Sequence, residues 1–164
     1  MHLHGELVSL RPPEERDVAS LLAFAREPDV ARWWPRADET YLREHLDDAD
    51  SFAVEHEGEL VGYAEVWEEL DPEYRHAGID LYLGTEYHRR GLGADTVLTL
   101  ARHLVRDRGH HRVVIDPAAE NDQAIRSYER VGFRRVGVMR RYELAGDGTW
   151  RDGLLMDLLA EELQ

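Results

Sequence analysis

The run Arg89-Arg90-Gly91-Leu92-Gly93 has the residue types and spacing that bind an anion. It opens a helical pattern, and the first turn of a helix carries unpaired N–H groups and the positive end of the dipole. The two glycines let the backbone approach a bulky oxyanion, and the arginines add charge. The reading is a pyrophosphate cradle. Two carboxylates stand near it in sequence. Asp80 sits inside an apolar strand pattern, on the face opposite Ile79 and Leu81, and Asp116 ends the apolar run Val113-Val114-Ile115. A carboxylate within a strand is disfavoured and costs several kcal/mol to bury without a partner.

Other chemistries are excluded by composition. The 164 residues contain no cysteine, which removes disulfides, thiolate nucleophiles and cysteine-bound metals. All 20 basic residues are arginine, so Schiff-base chemistry and the P-loop lysine are absent. Gly91-Leu92-Gly93 lacks the third glycine of the dinucleotide fingerprint, and seven residues separate it from Leu83, too many for that turn. The pairs His2/His4 and His110/His111 have no further ligand at metal spacing and read as solvated histidines, with no metal expected. The net charge of −14 disfavours nucleic acid and anionic lipid as partners and suits a cationic substrate. No apolar run reaches the roughly 20 residues of a membrane span, and the first residues lack a signal-peptide core. A cytoplasmic location is the default expectation, as a monomer or homodimer, with one domain over residues 1–164.

Hydrophobic periodicity supplies the elements that would position these groups. Strands are expected at 6–11, 51–56, 60–67, 79–83, 113–115, 133–144 and 150–158. Helices are expected at 14–26, 29–33, 93–108 and 121–131, with a short helical piece at 40–46. The early hairpins followed by a β-α-β crossover predict an α/β fold of the α+β mixed-sheet kind: a central, mostly antiparallel sheet with helices on both faces. Ligands in such sheets bind where strands splay beyond their carboxyl ends. Here that point is Leu83 and Asp116.

The cradle combined with Asn121-x-x-Ala124-Ile125-x-x-Tyr128-Glu129-x-x-Gly132-Phe133 strongly resembles the GNAT family of acetyl-CoA-dependent acyltransferases, most specifically over 79–133 and more loosely from Leu10-Arg11-Pro12 onward. The resemblance implies a GNAT-like fold and acetyl-CoA as cofactor, with its pyrophosphate on the backbone of Arg89, Arg90, Gly91, Leu92, Gly93 and Ala94. It implies that the pantetheine arm lies along Leu81, Tyr82 and Leu83, and that a strand N–H polarises the thioester carbonyl. Asn121 and Ala124 would hold the pantetheine, and Tyr128 would protonate the leaving thiolate as general acid. His88 stands where the family often has Gln or Arg, and an imidazole still donates to phosphate.

An amine attacks only as the free base, so a carboxylate or water relay is needed beside the thioester. Val30-Ala31-Arg32-Trp33-Trp34, Gly62-Tyr63-Ala64-Glu65, Gly78-Ile79-Asp80 and Asp116-Pro117 together look like the aminoglycoside 6′-N-acetyltransferases of that family. The similarity implies that Asp80 holds the acceptor or acts as base with Asp116 assisting. Trp33, Trp34, Trp67 and Glu65 would line the sugar site, and Glu68, Glu69 and Asp71 would gather its ammonium groups. The loop between Trp67 and Gly78 departs from that pattern. Two other readings stand beside it. A protein or peptide N-acetyltransferase of the ribosomal-protein type, or an acylator of lysine-like metabolites, calls for a wide open groove. A non-catalytic acyl-CoA-binding module calls for binding without turnover.

Overall fold

A computed structural model describes residues 1–164. The elements are β1 (Leu3–His4), β2 (Ser9–Arg11), α1 (Val18–Arg26), α2 (Pro28–Ala31), α3 (Glu39–Glu44), β3 (Ser51–His56), β4 (Glu59–Glu69), β5 (His76–Leu83), α4 (Leu92–Arg102), β6 (Arg112–Ile115), α5 (Asp122–Val131), β7 (Arg134–Leu144) and β8 (Trp150–Leu159). The eight strands form one sheet in the order β1-β2-β3-β4-β5-β6-β8-β7. Every pairing is antiparallel except β5 with β6. That parallel pair registers only at Ala77↔Val113 and Gly78↔Val114, so the two strands part beyond Gly78.

Strand alternation sends side chains to two cores. On one face Ile79, Leu83, Ala64, Val66 and Met156 pack beneath Leu92, Val97 and Leu100 of α4, Leu104 just after it and Ile125 of α5. On the other, Tyr63 and Tyr82 pack with Leu21, Ala25, Val30 and Leu42 of α1–α3. Helices therefore cover both faces of a mainly antiparallel sheet, as the periodicity predicts. No helix is long and apolar enough to cross a membrane.

Several expected boundaries move, each for a local reason. The strand expected at 6–11 shortens to Ser9–Arg11. The N–H groups of Glu6, Leu7 and Val8 leave the ladder and donate to the Asp95 carboxylate on α4, at 3.2, 2.7 and 3.0 Å. Gly5 permits this approach, since a Cβ there would fall 2.3 Å from Asp95 Oδ2. Pro28 starts α2 as its first residue, its fixed φ and missing N–H suiting that position. The helix expected at 93–108 is α-helical to Arg102 and then widens into a π-turn over His103–Asp107. There His103 Nδ1 lies 2.7 Å from Asp107 Oδ2, and Arg108 Nε donates to His103 Nε2 at 3.1 Å.

Arg11 is buried at the start of the second core. Its guanidinium donates twice to Asp17, at 2.7 and 2.8 Å, and Nε donates to Glu55 at 2.6 Å. Burial pushes the Asp17 carboxyl up, but Arg11 and the Glu14 N–H outweigh it and leave the group below its ordinary range. Removing one partner of a buried pair strands the other charge. Arg11→Ala is expected to cost about 3–5 kcal/mol. Thermal melting should show a loss of roughly 10 °C.

Candidate active site

The cradle has the geometry that its glycines suggest. Gly91 adopts φ +80° as the N-cap of α4, and Arg89 also lies in the left-handed region at +61°. The first intrahelical bond runs from Asp95 N–H to the Gly91 carbonyl at 3.0 Å, so the N–H groups of Leu92, Gly93 and Ala94 have no intrahelical acceptor. No side chain caps them. The donors face the mouth of a cavity of about 1000 Å3 that runs through the split between β5 and β6.

The register sets which β5 backbone groups face that split. Gly84 N–H donates to the Val61 carbonyl at 2.9 Å. By alternation Tyr82 and Asp80 also turn their backbone to β4, opposite Tyr63 and Glu65. Ile79, Leu81 and Leu83 then turn theirs to the open edge. Two side chains reach carbonyls there: Trp34 Nε1–H donates to Leu81 at 3.0 Å, and His88 Nε2 lies 2.8 Å from the Leu83 oxygen. The ring nitrogen expected to reach phosphate thus binds the strand end. Tyr82 lines the cavity with its backbone committed to β4, and its hydroxyl donates to the Leu21 carbonyl at 3.1 Å.

Asn121 is the N-cap of α5, its Oδ1 accepting from Ala124 N–H at 3.3 Å, which leaves the amide nitrogen for another acceptor. Asn121, Ala124 and Tyr128 line one wall. Burial, then the charges of Asp80 and Asp116, raise the Tyr128 phenol well above its ordinary value, so it keeps its proton.

Away from the cradle, Glu65, Asp80, Asp116 and Glu143 line the cavity together. Burial raises the Asp80 carboxyl to about 7, with further contributions from Asp116, Glu65 and Glu143; the Trp67 indole opposes them. Asp116 is raised by burial, while the Tyr142 hydroxyl, donating at 2.5 Å, pulls it back. Glu65 accepts from the hydroxyls of Tyr41 at 2.6 Å and Tyr63 at 2.7 Å. Over this end lies an arginine-tied bridge. Arg151 donates to the carbonyls of Arg32 (2.6 Å) and Trp33 (3.1 Å) and to Glu143 (Nε, 2.6 Å), and Arg36 donates to Leu144 at 2.8 Å. These contacts join the segment after α2 to the β7–β8 hairpin.

Most expected site residues meet here: Trp33, Trp34, Glu65, Asp80, Leu81, Tyr82, Leu83, His88, Arg89, Gly91, Gly93, Ala94, Asp116, Asn121, Ala124 and Tyr128. Others do not. Arg90 is exposed, over the Tyr87 ring at 5.8 Å. The Leu92 side chain is core, with only its N–H at the cradle. Trp67 lies across Gly78, where a Cβ would fall 2.1 Å from its ring, and stays outside the cavity wall. Glu68 belongs to β4 and pairs with Arg108 at 2.7 Å and with His110, so it gathers no ligand charge. Glu69 and Asp71 stand outside the cavity as well. His110 is buried against Glu68, contrary to the solvated reading, while His2, His4 and His111 are exposed.

Tyr41, Glu143 and Arg151 also line the cavity, and Tyr142 touches Asp116 from outside it. Each is brought in by a helix turn or by the β7–β8 hairpin, and no motif spacing marks them.

Residues 17–133 match the model of the Acetyltransferase (GNAT) family. The chain is 30% identical over 158 residues to the aminoglycoside N(6′)-acetyltransferase type 1 of Klebsiella pneumoniae, covering 82% of this chain and 78% of that one. Its fold is similar to a GNAT-family acetyltransferase from Bacillus anthracis, with TM-score 0.86 and 20% identity over 99% of this chain and 100% of the other. It is similar also to Mycobacterium smegmatis RimJ in complex with CoA-disulfide, with TM-score 0.82 and 25% identity over 99% and 88%. An unpaired N-terminal turn beside a split sheet edge is what such a cofactor needs, and the chain belongs to the GNAT family of acetyltransferases, enzymes that use acetyl-CoA.

Proposed function

We propose that the chain works as one acetyltransferase domain that acetylates a primary amine of a small cationic acceptor, most specifically the 6′-amine of an aminoglycoside, by direct attack in a ternary complex. The observation that carries this reading is the group of four carboxylates, Glu65, Asp80, Asp116 and Glu143, at one end of the cavity. The arginine-tied bridge supports a small acceptor over a peptide in an open groove.

Bound acetyl-CoA supplies an activated acetyl thioester. The free N–H groups of Leu92, Gly93 and Ala94 hold its pyrophosphate, assisted by Arg89. The outward backbone of Leu81 and Leu83 aligns the arm, and a strand N–H there stabilises the oxygen that gains charge. Trp33 and Trp34 line the acceptor's path. Asp116 attracts the acceptor ammonium. Asp80, poised near neutrality, takes the amine proton; a base is most effective with a pKa close to the working pH. Tyr128, held protonated by its surroundings, gives a proton to the departing thiolate.

The test is thiol release from acetyl-CoA with 6′-amino aminoglycosides, their 6′-hydroxyl counterparts, polyamines and N-terminal peptides. The 6′-amino compounds should exceed every other acceptor by about 100-fold in kcat/KM, the discrimination that leaving a site's polar groups unpaired provides. No turnover with any aminoglycoside overturns the narrow reading.

A further inference from the structure

β7 carries a distortion that its hydrophobic pattern does not require. After a first register shift between Arg135 and Gly137, it pairs with β8 through Met139↔Gly153, breaks, and resumes at Glu143↔Arg151. Arg140, Arg141 and Tyr142 therefore stand against the single residue Asp152. Arg141 takes φ +48° at this bulge, and its N–H donates to Asp152 Oδ1 at 2.8 Å, pinning the bulge in place. Bulges re-aim side chains and recur beside active sites. Here the ring of Tyr142 lies over Gly153, where a Cβ would fall 2.8 Å from its Cδ2. Its hydroxyl arrives at Asp116 Oδ2, 2.5 Å away, just past the end of β6 on the far side of β8. Tyr142 is 46% exposed and lies outside the cavity wall, so neither core packing nor substrate contact accounts for this placement.

Two carboxylates in one cavity resist ionising together. Asp116 faces Tyr142 and Glu143 of β7, together with Asp80 of β5 and Tyr128 of α5. Asp80 faces Asp116, Glu65 and the Trp67 indole, Glu143, and the phenols of Tyr41, Tyr128 and Tyr142. The Trp67 indole favours the Asp80 carboxylate, while Asp116 takes its hydrogen bond from the bulge-placed Tyr142 hydroxyl at 2.5 Å. We propose that Tyr142 is a positioning residue of the acetyl transfer, its hydroxyl keeping Asp116 ionised and aimed at the acceptor ammonium so that Asp80 alone exchanges a proton in the working pH range. The inference rests on the roles given above to Asp80 and Asp116.

The experiment is the pH profile of kcat/KM for whichever amine the enzyme turns over, in wild type, Tyr142→Phe, Gly153→Ala and Asp80→Asn. Wild type should show an acid limb with a slope of one. In Tyr142→Phe, Asp116 holds its proton longer, so ionising both carboxylates needs higher pH. The limb should rise by about one pH unit, the size expected from losing a hydrogen bond to a charged group, and its slope should approach two. Activity at pH 7 should fall about 10-fold and return near pH 9, with KM for acetyl-CoA unchanged. Gly153→Ala, which displaces the ring, should reproduce this change. A Tyr142→Phe profile parallel to wild type, at any height, overturns the inference. Persistence of the wild-type limb in Asp80→Asn overturns the proposed role of Asp80 instead, so the two failures are distinguishable.

Discussion

Asp80→Asn is expected to lower kcat/KM for the amine by about 100- to 1000-fold while the protein becomes more stable above neutral pH. The loss is in the range ascribed to a positioned general base, and KM for acetyl-CoA should be unchanged because Asp80 turns its backbone to β4 and its side chain to the acceptor face. The gain in stability has the same origin. Burial and the neighbouring Asp116, Glu65 and Glu143 raise this carboxyl from 3.8 to about 7 in the folded protein. The folded state therefore holds a proton that the unfolded chain releases near pH 4. Its stabilising contribution is complete below pH 4 and is lost as pH rises to 7, up to about 4 kcal/mol in all. Asparagine carries no such dependence. In thermal melts the variant should gain on wild type between pH 4 and 7, by several degrees, and hold a constant lead above pH 7.5. A gap between the two that does not vary with pH would show that Asp80 is paired in the fold and not poised as a base.

Gly91→Asp is expected to raise KM for acetyl-CoA by 100-fold or more while leaving kcat at saturation within a few-fold of wild type. Two effects add. At φ +80° a residue with a Cβ is strained by roughly 1–2 kcal/mol, and a carboxylate at the helix N-cap repels the pyrophosphate that the free N–H groups attract. Gly91→Ala separates them. A Cβ there meets only Leu7 Cδ1 at 3.6 Å, so alanine reports the strain alone and should raise KM about 5- to 10-fold. Equal effects of Ala and Asp would mean that the anion does not sit at this turn. Calorimetric titration with CoA measures the same difference without turnover.

The cradle and the fold class were legible in the sequence because their signals are local. A helix start with glycines at its first residues shows its unpaired N–H groups whatever packs around it, and alternation at 79–83 already places Asp80 opposite Ile79 and Leu81. The Asn121–Phe133 pattern likewise held its meaning, since an N-cap and the face of one helix depend on spacing within that helix. Trp67 and Glu68 were misplaced for the opposite reason. Their destinations depend on the residues across the ladder and on the loop after the next helix, Gly78 leaving room for one ring and Arg108 with His110 drawing the other side chain away.

The acceptor end was decided by tertiary structure. Glu143 reaches the cavity, and Tyr142 reaches Asp116, only because β7 inserts residues against Asp152, and a one-sided bulge leaves no periodic mark in a polar edge strand. Arg151 bonds carbonyls more than a hundred residues away, contacts that nothing in the local sequence of a hairpin arginine specifies. The sequence by itself therefore determined the family and with it the cofactor, because the proposed cradle is a backbone feature of a helix start. The shape and charge order of the proposed acceptor site came from the tertiary structure, because they are set by side chains meeting from four strands, a helix and the intervening loops.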